Sequence, residues 1–205
     1  MRHKRAITLA LTGASGAQYG LRLLECLLRG GTPVDLMISQ PAQVVIGMET
    51  DWSLPGRAAE IGRFFTERFD VAPGLLAVWG ERQWTAPFAS GSGVNRAMVI
   101  CPCTTGTLAT VATGQSRNLL ERAADVTLKE RRRLIVVVRE TPLSEIHLQH
   151  MLTLTRMGAV VLPANPGFYH RPASVEAVID FVVARTLDHL DIEHDLLPVW
   201  GVGDG

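Results

Sequence analysis

The sequence predicts an α/β protein of Rossmann-like (flavodoxin-like) type, three layers deep, with a mostly parallel sheet. Three observations carry that expectation. Short apolar runs, each long enough for one buried strand, alternate with longer stretches of helical periodicity. Those runs empty into turns rich in Gly, Ser, Thr and Pro, the edge at which open α/β sheets bind ligands. The first run, Ala6–Leu11, breaks at Thr12-Gly13 into a glycine-punctuated turn, Gly13-Ala14-Ser15-Gly16, that opens a helix.

After that turn Gly20, Leu21, Leu24, Leu27 and Leu28 recur at helical spacing until Gly30-Gly31 stops the helix. Val34–Ile38 is the second strand, and Pro41 suits the first turn of a helix running to Glu49. Residues 51–56 are loop; 57–69 place Ile61, Phe64, Phe65 and Phe69 on one helical side. Residues 71–93 are irregular, with Trp79, Trp84 and Phe88. Ala97–Cys101 is the next strand and runs into Pro102-Cys103-Thr104-Thr105-Gly106-Thr107, a hydroxyl-rich turn at a helix start. A helix over 118–130 precedes the strand Leu134–Val138, which ends in Arg139-Glu140-Thr141-Pro142. Residues 143–157 are helical, 159–162 form a strand, Pro163–Tyr169 is a rigid loop, and 173–190 form the closing helix. No linker or internal repeat interrupts the 205 residues, which suit one domain spanning 1–205.

Lys+Arg 20 balances Asp+Glu 20, so no global charge favours nucleic acid or a membrane surface. No apolar run approaches the length of about 20 residues that spans a bilayer. Residues 1–11 superficially resemble a signal peptide, but the glycine turn leads straight into an amphipathic helix. Three cysteines, Cys26, Cys101 and Cys103, cannot close a disulfide framework, and a cytoplasmic setting is expected. Cys101 and Cys103 are expected on one face of a strand end. No further ligand cluster completes a metal site, so none is expected. The 47% hydrophobic content suggests apolar surface buried between subunits.

Four strand ends deliver polar groups to one edge: Ser15, Ser39, Thr104–Thr107 and Arg139-Glu140. The first turn lacks the middle glycine of G-x-G-x-x-G, and no Gly-Lys-Ser/Thr follows as in a P-loop. Ser39 stands where a dinucleotide enzyme wants a ribose-binding acid, which points to FMN rather than NAD or FAD. Ser15 can join the free N–H groups of the helix in binding a single phosphate, or serve as an ordinary N-cap. Arg139-Glu140 can be functional or simply the point where the chain meets water. The run Arg131–Arg133 reads as a solvated helix end.

The motifs T-G-A-S-G-A-x-Y-G, P-C-T-T-G-T-L-A-x-x-A-x-G, L-I-V-V-V-R-E-T-P-L and P-A-N-P-G-F-Y-H-R-P, in this order from Lys4 to Trp200, resemble the UbiX-type flavin prenyltransferases. The resemblance implies a flavoprotein that joins the dimethylallyl group of dimethylallyl phosphate to N5 and C6 of reduced FMN, a co-substrate. The product would be prenylated FMN, passed to a UbiD-type decarboxylase, as in ubiquinone synthesis. It also implies a homo-oligomer, a dodecamer, with sites at subunit boundaries. Gly13, Ala14, Ser15, Ser39, Thr104, Thr105, Gly106, Thr107 and Arg139 would hold FMN. Tyr169 and Arg185 would bind dimethylallyl phosphate, with Lys129 and Glu140 beside it. Ser15, Glu49, Lys129 and Glu140 are the catalytic candidates, and Trp84, Trp200 or Tyr169 could wall the allylic group. Gly106 departs from the basic residue many relatives carry there. Two rivals are an FMN-dependent decarboxylase of the cysteine type and an FMN carrier. The first would want a His between Gln40 and Glu49, where there is none; the second has no need of a second anion site.

Overall fold

A computed structural model describes residues 5–197. Six strands form one sheet, all pairs parallel, in the order β3-β2-β1-β4-β5-β6. The strands are β1 (Ile7–Leu11), β2 (Val34–Ile38), β3 (Leu76–Trp79), β4 (Ala97–Cys103), β5 (Arg133–Val138) and β6 (Val160–Pro163). The helices are α1 (Ala17–Arg29), α2 (Gln40–Glu49), α3 (Ala58–Arg68), α4 (Thr105–Ala112), α5 (Leu119–Lys129), α6 (Glu145–Arg156) and α7 (Val175–Asp188). The order reverses between β1 and β4, and that switch point opens a crevice beyond the strand ends.

β1, β2 and β4 are buried throughout, which is why they read as mostly apolar runs rather than alternating ones; the buried Asp35 of β2 accepts from Trp79 Nε1 and Asn95 Nδ2. Two cores lie on opposite sheet faces. One gathers Leu9, Leu11, Leu24, Leu36 and Val99 with α1, α3 and α7; the other gathers Ala10, Met37, Met98, Ile100 and Val136 with α4, α5 and α6. Gly20 lets α1 lie directly on β4: a Cβ there would sit 2.2 Å from the Cys101 carbonyl oxygen.

Four sequence expectations change. Residues 76–79, expected to be irregular, form the edge strand β3 on β2. α6 begins at Glu145 because the Ser144 hydroxyl accepts the His147 N–H, and α7 begins at Val175 because Ser174 accepts that of Ala177. Cys101 and Cys103 face opposite cores, because the β4–β5 register shifts between Ile100 and Cys103. Both are free thiols pushed up by burial, Cys103 to about 12. Among the described residues no helix is long and apolar enough to cross a membrane.

Candidate active site

The first turn of α1 is not an open anion site. Its N-cap, Gly16, sits at φ 93 and offers no side-chain acceptor. The acceptor comes from 33 residues away: Glu49, last residue of α2, takes the Gly16 N–H at 2.8 Å and the Ala17 N–H at 3.0 Å on one oxygen, Oε2. The Ser15 hydroxyl hydrogen-bonds to the same carboxylate, and Gln18 Nε2 donates to the Glu49 carbonyl oxygen at 3.0 Å. Ser15 is therefore neither an N-cap nor part of a free phosphate cradle. Partial burial pushes the Glu49 carboxyl up. The Ser15 hydroxyl, the two N–H groups and the Arg139 charge outweigh it and hold Glu49 below the usual carboxylate range.

Arg139 follows β5, yet its charge reaches both Glu49 and Tyr19. Partial burial raises the Tyr19 phenol, the nearby Cys101 adds to this, and Arg139 opposes both. Thr12 fastens the ends of β1 and β4, donating to the Pro102 carbonyl at 2.7 Å and accepting the Thr104 N–H at 2.9 Å. On the other side Gly13 presses on α2, where a Cβ would lie 2.5 Å from Pro41 Cβ. The ends of β2, β1, β4 and β5 thus bring Ser39, Gly13–Ser15, Thr104 and Arg139 to one edge.

At α4 the capping differs. Thr104 Oγ1 accepts the Thr107 N–H at 3.1 Å and donates to Thr107 Oγ1 at 2.9 Å; Leu108 N–H returns to the Thr104 carbonyl. The N–H groups of Thr105 and Gly106 have no intrahelical acceptor, so this first turn keeps donors for an external anion. Ser39, at the head of α2, accepts the Ala42 N–H at 3.2 Å. A Cβ at Gly106 would meet only Thr104 Oγ1, at 4.0 Å, so nothing in the packing demands glycine there. Arg139 supplies a positive charge at this edge.

Tyr169 and Arg185 meet elsewhere. Both line a cavity of about 1010 Å³ between α7, the loop carrying Tyr169-His170, and residues 191–197. α7 runs from the strands' carboxyl edge toward their amino edge: Asp180 pairs with Arg22, in the second turn of α1, and the His189 carbonyl meets Arg133 at the start of β5. Arg185, one turn before the end of α7, is thus far from the α1 N-terminus. Lys129 is not beside this cavity or beside Glu140. It ends α5 just before β5 begins, at the amino edge, and is paired with Glu130. Glu140 lies at the opposite end of β5, exposed. One chain therefore separates Ser15–Glu49–Arg139, Tyr169–Arg185 and Lys129 into three places. Trp84 is half-exposed in the loop after β3; Trp200 lies outside the described residues. No group of three or more potential metal-binding side chains occurs among the described residues.

Thr12, Gln18 and Tyr19 were not marked by the sequence as site residues, although Gln18 and Tyr19 belong to the turn motif itself. Their roles depend on partners 31 or more residues away, such as Glu49 and Pro102.

Residues 1–187 match the sequence model of the Flavoprotein family. The chain is 58% identical over 195 residues to the flavin prenyltransferase UbiX of Pseudomonas aeruginosa, covering 95% of this chain and 93% of that protein. It superposes with a TM-score of 0.86 on AnUbiX (PadA1) in complex with FMN and dimethylallyl pyrophosphate, at 39% identity over 98% of this chain and 100% of that one. A dodecameric FMN-dependent UbiX-like decarboxylase from Escherichia coli O157:H7 gives a TM-score of 0.84 at 36% identity, covering 95% of this chain and 98% of that one.

Proposed function

Because the chain belongs to the Flavoprotein family and, within it, to the UbiX flavin prenyltransferases, we propose that residues 1–205 form one FMN-binding domain that joins the dimethylallyl group of dimethylallyl phosphate to reduced FMN. The observation that carries this reading is the pairing of a hydroxyl–carboxylate couple at one strand edge with a separate arginine–tyrosine cavity. A flavin carrier needs only one anion site.

The flavin supplies nucleophilic N5 and C6 as the allylic C–O bond breaks and phosphate leaves. The side chains then have distinct tasks. With the α1 donors taken by Glu49, the FMN phosphate would be held at the first turn of α4 by the Thr105 and Gly106 N–H groups, the Thr107 hydroxyl, which Thr104 Oγ1 orients, and Ser39. Gly13, Ala14 and Ser15 then line the ring, with the Ser15 hydroxyl, backed by Glu49, toward its reacting edge. Arg139 offsets negative charge there. Glu140, at the same edge, is the base for ring closure. Tyr169 and Arg185 hold the leaving phosphate.

Since Lys129, Tyr169 and Arg185 stand apart from Ser15 within one chain, neighbouring copies complete the site. Exposed apolar side chains on α2 and α6, Met48 at 80% and Ile146 at 65%, are suited to cover by further copies, consistent with a dodecamer. The same reading makes the prenylated product a cofactor for a UbiD-type decarboxylase, within ubiquinone synthesis, in the cytoplasm, where the free cysteines remain reduced.

The decisive experiment incubates the protein anaerobically with reduced FMN and dimethylallyl phosphate. Mass spectrometry should find a flavin heavier by one C5 unit; recovery of unmodified flavin alone would refute the proposal. The placement of the FMN phosphate has its own test. Thr107→Val removes a hydroxyl from the α4 turn and should weaken FMN binding about tenfold while leaving riboflavin binding unchanged. Equal loss for both ligands in fluorescence titrations would move the phosphate elsewhere.

A further inference from the structure

The cavity shared by Tyr169 and Arg185 contains an ordered chain of polar contacts that no task assigned above uses. Leu196 N–H lies 3.3 Å from His194 Nδ1, His194 Nε2 lies 3.1 Å from Asp188 Oδ1, and Arg185 Nη1 lies 2.6 Å from Asp188 Oδ2. The direction of the chain follows from its first member. A backbone N–H can only donate, so His194 Nδ1 accepts and the proton of the neutral ring sits on Nε2, donating to Asp188. The carboxylate is thereby filled on both oxygens, one by the imidazole and one by the guanidinium. His194 is well buried for a histidine so near the end of the described chain, with 13% of its side chain exposed.

We propose that Asp188 and His194 are positioning residues for Arg185, orienting its guanidinium so that the N–H groups Asp188 does not use face the substrate phosphate. This rests on the reading that Arg185 binds that phosphate. An unrestrained arginine on a helix surface samples many rotamers and must be ordered by its ligand; one already held by a carboxylate loses less freedom when the ligand binds. An isolated i,i+3 pair on a helix does little. Here the third partner comes from a different segment, residues 192–197, so the rotamer of Arg185 becomes linked to the docking of that segment against α7. The other charged groups of the cavity do not compete for this task. Asp191 is engaged by Arg133 from β5 at 2.6 Å, and His170 and Glu193 make no ion pair among the described residues.

The test compares steady-state constants for dimethylallyl phosphate in the full-length protein. Asp188→Ala should raise its KM about tenfold, with kcat within twofold of wild type and FMN affinity unchanged, as the loss of one charge-assisted restraint predicts. His194→Ala should raise KM by a smaller factor, and His194→Gln, whose amide can still donate to Asp188, should restore it. A merely structural role would lower the melting temperature without this split between KM and kcat and without rescue by Gln. An unchanged or lower KM in Asp188→Ala overturns the inference, a lower one meaning that the carboxylate only neutralises Arg185. Should Asp188→Ala fail to fold, the contrast between His194→Ala and His194→Gln decides alone. Arg185→Ala separates the two levels: an unchanged KM there refutes its phosphate-binding role, whereas a raised KM in Arg185→Ala alone refutes only the positioning.

Discussion

Glu49→Gln is expected to slow formation of the prenylated flavin by about a hundredfold or more while leaving the fold nearly intact. The geometry makes this substitution unusually clean. The Gly16 and Ala17 N–H groups converge on one oxygen, Oε2. A glutamine carbonyl in its place can accept both, so the α1 N-terminus stays capped. The carboxylate also interacts with the Ser15 hydroxyl, and a neutral amide in its place removes the group able to take a proton through it. Ser15→Ala should be slowed similarly, since it cuts the same link from the other side. Single-turnover rates under anaerobic conditions are the measurement. A Gln variant within threefold of wild type would reduce Glu49 to a helix cap.

The same carboxylate gives a pH signature. Its folded-state value is held below the usual carboxylate range, so the folded protein prefers it ionised more strongly than the unfolded chain does. The stability it contributes is present above the ordinary carboxylate value of about 4.3 and is lost as pH falls through the lowered one. Acid unfolding of Glu49→Gln should lack that component and be flatter than wild type below about pH 4.3.

How much of this was legible in sequence depends on whether the signal was local. β1, β2, β4 and β5 stood out because strands buried on both faces are mostly apolar, even with Thr8 in β1 and Asp35 in β2. β3 did not, because Leu76–Trp79 is a short, half-buried edge strand just after Pro73-Gly74. Convergence of Ser39, Ser15, Thr104 and Arg139 at one edge followed from parallel strands alone. Glu49 was a minor candidate because its partners lie a full βαβ unit away; the one local hint was that α1 opens on a glycine with no side chain to cap it. The opposed faces of Cys101 and Cys103 were hidden by a register shift that a simple two-residue period cannot show. Lys129 is the reverse case. The family resemblance groups it with the substrate residues, but the topology sends α5 to the far edge of the sheet.

Gly20→Ala should be the most destabilising small substitution in the helices that shape the site. In an exposed helix interior this change is favourable, because alanine is the better helix former by about 1 kcal/mol. Gly47 in α2, where an added methyl would meet nothing within 4 Å, should behave that way and gain a few tenths to about 1 kcal/mol as alanine. Gly20 has no such room. Its Cβ would lie 2.2 Å from the Cys101 carbonyl oxygen, 2.9 Å from Leu11 Cγ and 3.2 Å from the Cys101 carbonyl carbon. Two of these are backbone atoms of β4, buried in the centre of the sheet, and cannot rotate aside. Relief requires α1 to rise off β4, opening the packing of Leu21, Leu24 and Leu28 at the same time. A cost of about 3 kcal/mol or more is expected, a large part of a typical total of about 5–15 kcal/mol. At about 2–4 °C per kcal/mol for a chain of this size, the melting temperature should fall by about 6–12 °C. Because α1 carries the Ser15–Gly16 turn that Glu49 braces, flavin affinity should fall with it. Thermal unfolding of Gly20→Ala and Gly47→Ala side by side is the test, and shifts of the same sign in both would mean that helix propensity, not the approach of α1 to β4, governs Gly20.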